Sequence, residues 1–248
     1  LAVEAGERLA HARRADLLIP ALTEDDVPDL AAAYAVQRAA IAASPQEPIG
    51  WKIGATSADT QARLKLTEPF YGPMFAADSH PSGTAVAGAA GLRGVEVELA
   101  FRLGRDLPVR DGGWSAGEVA EAAAGLYLAL EFVATRQEGA LEGRRAIADL
   151  GLNHAFVHGP PVEGWRELNL PDIHAALLVD GERRAEGSAA VVFGSPLAAL
   201  KWLADHGPGL RAGQWISTGT LTGLTPLPGP CAVVGDFGPL GRVAAQLT

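Results

Sequence analysis

Two glutamates lie two positions apart in a segment that is otherwise typical of a buried β-strand. Glu96 and Glu98 belong to GVEVELAF, residues 94–101. Because side chains alternate along a strand, both carboxylates point to one face, roughly 6.5–7 Å apart along the backbone, and the large apolar residues point to the other. Like charges on a buried face repel and resist ionisation, so they need a compensating charge. The pair predicts a divalent cation such as Mg²⁺, which prefers oxygen ligands; a solvent-facing strand is the alternative.

A third acid, Glu131, lies in a second apolar segment, LYLALEFV, at residues 126–133. A buried carboxylate is costly unless it is paired with a cation or bound to a metal. One interpretation is a buried ion pair with Arg136, the nearest basic residue in the sequence. The other is that Glu131 joins Glu96 and Glu98 around one cation, which keeps open positions for water and substrate.

Lys52 is the candidate for acid–base chemistry. It lies between Gly50 and Gly54, which let the backbone approach a ligand closely, and its immediate neighbours are apolar. An apolar setting predicts a lowered pKa for the ammonium group, which suits a proton shuttle or an anchor for a carboxylate. The alternative is a lysine on an edge strand whose ammonium group reaches water.

Two further segments offer polar contacts to a ligand. Asn153 and His154 precede an extended segment, and a hydroxyl-rich stretch, residues 217–222, includes Thr220. Hydroxyl and backbone N–H groups of such a loop can hold an anionic ligand. A single His beside an Asn is more often structural than catalytic, and the hydroxyl-rich stretch is equally typical of an ordinary turn. The Walker, dinucleotide-binding and G-x-S-x-G patterns are absent from the sequence, which argues against nucleotide binding and a serine hydrolase.

Composition limits the class of protein. Of the 248 residues, 48% are hydrophobic and 20% charged, which is typical of a globular chain, and no apolar run is long enough for a membrane span. The net charge of −9 argues against a nucleic-acid partner. Cys231 is the one cysteine, which excludes a disulfide within the chain and suits a reducing compartment. We therefore expect a cytoplasmic protein that binds neither nucleic acid nor membrane.

Local signals predict the elements that must position these side chains. Helical patterns dominate the first 45 residues, and short strands separated by Gly and Pro follow. The individual signals are a helix capped by Asp29, a helix at 116–123 behind a Ser115 capping box, a hairpin turn at Asp180-Gly181, a helix at 197–206 after Ser195-Pro196, and strands at 214–218, 231–236 and 242–247. Strands and helices do not alternate regularly, which argues against a doubly wound sheet. The prediction is an α+β fold with a helical N-terminal cap, residues 1–48, and a β-rich catalytic domain, residues 49–248, which could also count as one domain, 1–248.

The order and spacing of these segments resemble the fumarylacetoacetate hydrolase superfamily, and within it the branch of 2-keto-4-pentenoate hydratases and 4-oxalocrotonate decarboxylases. The resemblance runs from about residue 5 to the end of the chain. The segments that carry it are 50–57, 68–74, the Glu96/Glu98 strand, 129–131 ahead of Arg136, 194–196 with 202–204, 217–220 and 235–243.

This resemblance implies a twisted mixed β-roll that forms homodimers or larger assemblies, and a possible complex with a related decarboxylase or hydratase. It implies that Glu96, Glu98 and Glu131 bind Mg²⁺ or Mn²⁺, which chelates a small unsaturated 2-oxo acid. Lys52 is then the catalytic candidate. Candidates for substrate binding are Asn153, Thr220 and Arg136. The expected activity is that of a hydratase-like lyase in aromatic-compound catabolism; a decarboxylase, an acylpyruvate-type hydrolase and a non-catalytic partner subunit are the alternatives.

Three departures from the branch concern residues near the substrate. Phe70 replaces the Asp of a Pro-Asp-Phe-Gly segment, and Ala134-Thr135 replaces an Asp-Ser pair before Arg136. A run of Ala-Asp-Asn-Ala-Ser is matched only loosely by residues 148–156, so that a Ser is lost near Phe156. The sequence therefore predicts a retained metal site whose surroundings have changed.

Overall fold

Two N-terminal helices precede two mixed β-sheets, and all predicted site residues except Arg136 lie in strands of the larger sheet. In the computed structural model, which describes residues 1–139 and 142–248, the helices are α1 (Ala2–Ala15), α2 (Leu30–Ala42), α3 (Ala58–Leu64), α4 (Ala116–Ala122), α5 (Gly143–Ala148) and α6 (Pro196–His206). The strands are β1 (Pro48–Gly54), β2 (Phe70–Phe75), β3 (Ser79–Pro81), β4 (Thr84–Val86), β5 (Leu92–Leu103), β6 (Ala123–Ala134), β7 (Asn153–Pro161), β8 (His174–Val179), β9 (Glu182–Ser188), β10 (Trp215–Thr220), β11 (Cys231–Asp236) and β12 (Arg242–Leu247). Short 3₁₀ turns lie at Ala76–Asp78, Leu150–Leu152, Trp165–Glu167, Leu170–Asp172, Ala189–Val191 and Gly238–Leu240.

The larger sheet has seven strands in the order β2-β1-β10-β5-β6-β7-β3, and the smaller has five in the order β4-β12-β11-β8-β9. Three neighbouring pairs are parallel, namely β1 with β10, β3 with β7, and β4 with β12, and the other pairs are antiparallel. The long strands β5 and β6 lie at the centre of the larger sheet and pair along nearly their whole length. The mixed pairing and irregular order confirm the predicted β-rich α+β fold.

Strand β5 separates an apolar environment from a polar one. Val97, Leu99 and Phe101 are fully buried in the main apolar core, which they share with residues of the five-stranded sheet. Glu96 and Glu98 alternate with them and therefore project from the opposite face. Burial of the apolar face holds the register of the strand, because a slip by one residue would place both carboxylates in the core.

The N-terminal helices form a second apolar core with β2 and α5. Helix α2 begins where predicted, and its cap Asp29 accepts a backbone N–H at 2.8 Å. Leu9 of α1 and Val36 of α2 are buried in the same cluster as Phe70 of β2. The prediction of helix is wrong for residues 16–29, which join α1 to α2 in turns and extended backbone. The cap thus shares its core with later elements, and the proposed domain division after residue 48 stays a prediction.

Other local predictions are confirmed. Helix α4 begins with the predicted capping box of Ser115, and the Asp180-Gly181 turn joins β8 to β9. Strand β10 continues two residues past its predicted end, so that Thr220 closes a strand. Along the described part of the chain, no helix combines the length and apolarity that a membrane span requires.

Candidate metal centre

The pairing of β5 with β6 brings the three glutamates together. The register places Glu96 opposite Glu131 and Glu98 opposite Ala129. One carboxylate oxygen of each glutamate lies within 4.8 Å of the others. Glu98 and Glu131 are fully buried, and Glu96 is half-buried. The solvent-facing alternative for this strand is therefore wrong.

Each of the two buried carboxylates has one bound oxygen and one free oxygen. Oε2 of Glu98 accepts hydrogen bonds from the Ser217 hydroxyl at 2.5 Å and from the Gly219 N–H at 3.0 Å. Oε1 of Glu131 lies 3.2 Å from the Lys52 ammonium and 3.1 Å from the side-chain N–H of Asn153 that donates to it. Oε1 of Glu98 and Oε2 of Glu131 have no hydrogen-bond partner among the described residues.

Free, buried carboxylate oxygens fit a divalent cation. A buried polar oxygen without a partner is costly, and such atoms are rare in folded proteins. Three carboxylates against the single ammonium group of Lys52 leave excess negative charge at the centre. Hard cations such as Mg²⁺ bind oxygen ligands of this kind. The donor set of Glu96, Glu98 and Glu131 therefore suits a metal on chemical grounds.

The electrostatics of the metal-free centre lead to the same conclusion. Burial and repulsion from Glu131 raise the pKa of Glu96 to about 7, although Lys52 offsets part of the shift. Burial, with the charges of Glu131 and Glu96, holds the pKa of Glu98 well above its usual range. Without a metal, the carboxyl groups of Glu96 and Glu98 therefore bind protons more tightly than an exposed glutamate does, because the site disfavours three full negative charges.

Lys52 corrects three of the sequence-based interpretations. It is 3% exposed, so it is not an edge-strand lysine that reaches water. Burial alone would lower the pKa of its ammonium group, but Glu131 and the other two carboxylates reverse the effect, so that the pKa is raised rather than lowered as predicted. Finally, Lys52 rather than Arg136 pairs with Glu131, so the predicted Glu131–Arg136 ion pair is wrong.

Arg136 does not pair with the three glutamates; it binds Asp149 and the backbone of Asn153. Its Nε donates to the Asp149 carboxylate at 2.6 Å, and its other two nitrogens donate to the carbonyl oxygens of Asp149 and Asn153 at 2.5 and 2.9 Å. This geometry makes it a support for Asn153, and substrate binding by Arg136 stays a prediction. The sequence reasoning assigned no role to Asp149, although a lone Asp in the apolar stretch AIADL was a usable signal.

Asn153 and Thr220 lie next to the glutamates. Besides donating to Glu131, Asn153 has a buried side-chain oxygen, Oδ1, that lacks a partner among the residues described. Thr220 pairs in register with Glu98, and its hydroxyl is likewise buried and without a partner in the described chain. Both side chains therefore carry a polar atom that a ligand can use. His154, by contrast, bonds the Ala87 carbonyl at 2.8 Å.

Two aromatic rings, those of Phe70 and Phe156, flank the ionic cluster. The Lys52 ammonium lies 5.3 Å from the centre of the Phe70 ring. Phe156 pairs in register with Glu131, and its ring lies 5.6 Å from that of Trp215. Both phenylalanines are buried. The surroundings of the cluster are therefore apolar on these two sides.

Comparison with known protein sequences identifies the family. A model described as fumarylacetoacetate (FAA) hydrolase, C-terminal, matches residues 26–240. A 2-keto-4-pentenoate hydratase of Burkholderia vietnamiensis is 30% identical over 206 residues, which cover 81% of this chain and 78% of the relative. The TodF product hydratase of Pseudomonas putida is 31% identical over 237 residues, which cover 88% of this chain and 84% of the relative.

Solved structures share the fold. The 4-oxalocrotonate decarboxylase from Pseudomonas putida G7, complexed with magnesium and adipate, matches with a TM-score of 0.88 at 24% identity, over 100% of this chain and 97% of that one. The fumarylpyruvate hydrolase from Pseudomonas aeruginosa, in complex with Mn²⁺ and pyruvate, matches with a TM-score of 0.61 at 19% identity, over 80% and 88%. Because the family model spans most of the sequence and these folds agree, the chain belongs to the fumarylacetoacetate hydrolase family, as its sequence motifs predict.

Proposed function

We propose that this protein is a divalent-metal-dependent lyase of the 2-keto-4-pentenoate hydratase type, which acts on a small unsaturated 2-oxo acid in aromatic-compound catabolism. The observation that carries the proposal is the convergence of Glu96, Glu98 and Glu131, with a free oxygen on each of the two buried carboxylates. The names of the relatives with about 30% identity support the reaction type.

Each residue of the centre has a chemical role in this proposal. Glu96, Glu98 and Glu131 would hold Mg²⁺ or Mn²⁺, and the bound ion would supply a Lewis acid for the keto group of a 2-oxo acid. Lys52, protonated and held by Glu131, presents Nζ–H to negative charge that develops on the substrate oxygen, and it can donate a proton during tautomerisation. The Thr220 hydroxyl orients the substrate or the attacking water.

The apolar flanks favour a hydratase over a decarboxylase of dicarboxylic acids. A second carboxylate placed against the buried rings of Phe70 and Phe156 would lose its hydration without gaining a partner from either ring. An uncharged hydrocarbon end, as in 2-hydroxypentadienoate, loses nothing there. Decarboxylation and acylpyruvate-type hydrolysis on the same centre remain the second candidates, because they use the same metal and carboxylate chemistry.

A direct assay separates these candidates. The protein is incubated with Mg²⁺ and 2-hydroxypenta-2,4-dienoate, and loss of the dienol absorbance is followed; a dicarboxylic unsaturated 2-oxo acid is tested in parallel for release of CO₂. We expect metal-dependent loss of the dienol and no CO₂. Release of CO₂ alone would assign the decarboxylase. No turnover in either assay would favour a non-catalytic partner subunit.

We also propose, from the family resemblance, that the protein forms a homodimer or a larger assembly, with a related decarboxylase or hydratase as a further partner, in the cytoplasm. The single cysteine, Cys231, is buried and unpaired, as is usual in a reducing compartment. Light scattering of the purified protein tests the assembly, and a monomer at micromolar concentration would contradict it.

A further inference from the structure

Partly buried hydrogen bonds of Arg13 connect the N-terminal helix to residues next to the candidate metal centre. This arginine lies in the last turn of α1, and its side chain is 15% exposed. One guanidinium nitrogen donates to the carbonyl oxygen of Asn153 at 2.8 Å, and the other donates to the Asp78 carboxylate at 2.6 Å. Arg136 donates to the same carbonyl oxygen of Asn153 at 2.9 Å. Two guanidinium groups therefore hold one backbone oxygen.

The backbone before that oxygen needs such support. Leu150, Gly151 and Leu152 have φ angles of 53°, 63° and 64°, so three successive residues adopt the left-handed conformation. That conformation brings Cβ close to the following carbonyl, which disfavours it for both leucines. Strained backbone persists where surrounding bonds over-determine it, and such sites cluster where function needs a fixed geometry. The position of Asn153 is therefore imposed by its contacts and not by local preference.

The side chain of Asn153 contacts Glu131, one of the proposed metal ligands. Its amide N–H donates to Oε1 of Glu131 at 3.1 Å, which leaves Oε2 of Glu131 free for the cation. The asparagine side chain is short, so the amide moves with the backbone that bears it. Loss of one of the two guanidinium contacts would let that backbone relax and would turn the Glu131 carboxylate.

We propose that Arg13 is a positioning residue of the metal centre: it clamps the Asn153 carbonyl from α1 and thereby fixes the orientation of Glu131. The inference rests on the proposed function, in that it requires Glu131 to bind the cation. It assigns the N-terminal helix a part in the active centre beyond packing. Groups that orient metal ligands typically affect metal affinity about 10–100-fold.

The test compares Arg13→Met with Arg14→Met by calorimetric titration of the metal-free full chain with Mg²⁺. Arg14 is a matched control, because it follows Arg13 in the same helix and also donates to a carbonyl oxygen, that of Ala43, at 3.0 Å. We expect Arg13→Met to weaken Mg²⁺ binding about tenfold and Arg14→Met to change it less than twofold. Thermal melts without metal report any general loss of stability separately.

A double-mutant cycle shows whether Arg13 acts through Asn153. Asn153→Ala should weaken Mg²⁺ binding to a similar extent, and adding Arg13→Met to it should cause little further loss. Arg13→Lys retains a positive charge that can contact either the Asn153 carbonyl or Asp78, so it should bind Mg²⁺ with intermediate affinity. This variant replaces Arg13→Met in the test if the Met variant does not fold.

The outcomes separate this inference from the proposed function. If the wild type binds Mg²⁺ or Mn²⁺, and if Arg13→Met and Arg13→Lys bind it with the same affinity, the positioning role is overturned. The proposed function then still stands. Additive losses in the cycle also overturn it, because Arg13 then acts independently of Asn153. A wild-type chain that binds neither ion overturns both proposals.

Discussion

Replacement of Glu98 by glutamine should stabilise the metal-free protein and abolish its response to Mg²⁺. Glu98 is fully buried within 4.8 Å of two other carboxylates, and its pKa lies well above the usual value of 4.5. Glutamine retains the size of the side chain, and its amide oxygen can still accept from Ser217 and Gly219. The variant therefore removes a charge from the centre while it leaves the packing nearly unchanged.

The size of the stabilisation follows from proton binding. The pKa of Glu98 is near 4.5 in the unfolded chain and is raised in the metal-free fold, and each pH unit of such a rise costs about 1.4 kcal/mol of stability at a pH above both values. The cost has a ceiling of about 3 kcal/mol at pH 7 and vanishes near pH 4.5. Because the folded-state pKa is raised, the wild type loses stability as the pH rises through this range. The advantage of Glu98→Gln should grow with pH and stay below about 12 °C in melting temperature at pH 7, which corresponds to that ceiling.

The metal should stabilise the wild type much more than the variant. Mg²⁺ at a hundred times its Kd stabilises a folded protein by about 2.7 kcal/mol, which for a chain of this length is about 5–11 °C. Wild type should show this rise. The variant lacks one of three charged ligands, so we expect a rise below about 2 °C at the same concentration.

Differential scanning calorimetry in EDTA and in Mg²⁺, at pH 5, 7 and 8, measures both effects. Glu163→Gln is the control, because Glu163 is exposed and lies outside the centre, and it should alter neither the EDTA melt nor the Mg²⁺ response. A Glu98→Gln variant that melts below wild type in EDTA at pH 7, or that keeps the full Mg²⁺ response, would refute the reasoning.

Three other perturbations test separate parts of the centre. Gly219→Ala, whose Cβ would lie 2.4 Å from the Thr56 hydroxyl at a φ of +114°, should lower the free energy of unfolding by about 2–4 kcal/mol and weaken Mg²⁺ binding. Gly223→Ala, at a φ of +77° with open space around the new Cβ in the described chain, should cost only about 1 kcal/mol in thermal melts; equal effects would contradict the steric argument. Lys52→Met should reduce kcat at least about 100-fold, because it removes a proton donor. It should not weaken Mg²⁺ binding, because it also removes a charge that repels the cation. A higher calorimetric Kd for Mg²⁺ would indicate instead that Lys52 orients a metal ligand. Binding of Mg²⁺ should release more protons at pH 6 than at pH 8, because the raised pKa of Glu96, about 7, leaves it partly protonated without metal. Calorimetry in buffers of different ionisation enthalpy counts the protons, and a count that does not change with pH would contradict the raised pKa of Glu96.

Long-range contacts explain why some sequence-based predictions failed. The pKa of Lys52 was predicted from its apolar neighbours in β1, whereas its direction is set by carboxylates on β5 and β6. Arg136 was the nearest cation to Glu131 in the sequence, yet the folded chain pairs Glu131 with a lysine 79 positions earlier and Arg136 with Asp149. Proximity along the chain does not predict such pairs, because strand order decides which side chains meet.

The sequence alone determined features that depend on a few neighbouring residues, and it determined the family through many short segments taken together. The two-residue period of β5 assigned the glutamates to one face, the Ser115 box and Asp29 marked helix starts, and the ordered motifs identified the family. These signals depend on backbone geometry within a few residues or on the agreement of many short segments.

Only the tertiary structure decided the partners of the charged groups. It placed Glu96 opposite Glu131, left one oxygen of each buried glutamate free, and joined Arg13 to Asn153 across 140 positions of the chain. Register between strands and the packing of α1 set these contacts, and both arise from burial of apolar surface over the whole fold. Polar groups then occupy whatever positions that burial leaves them, so their pairing is a property of the assembled chain rather than of any segment.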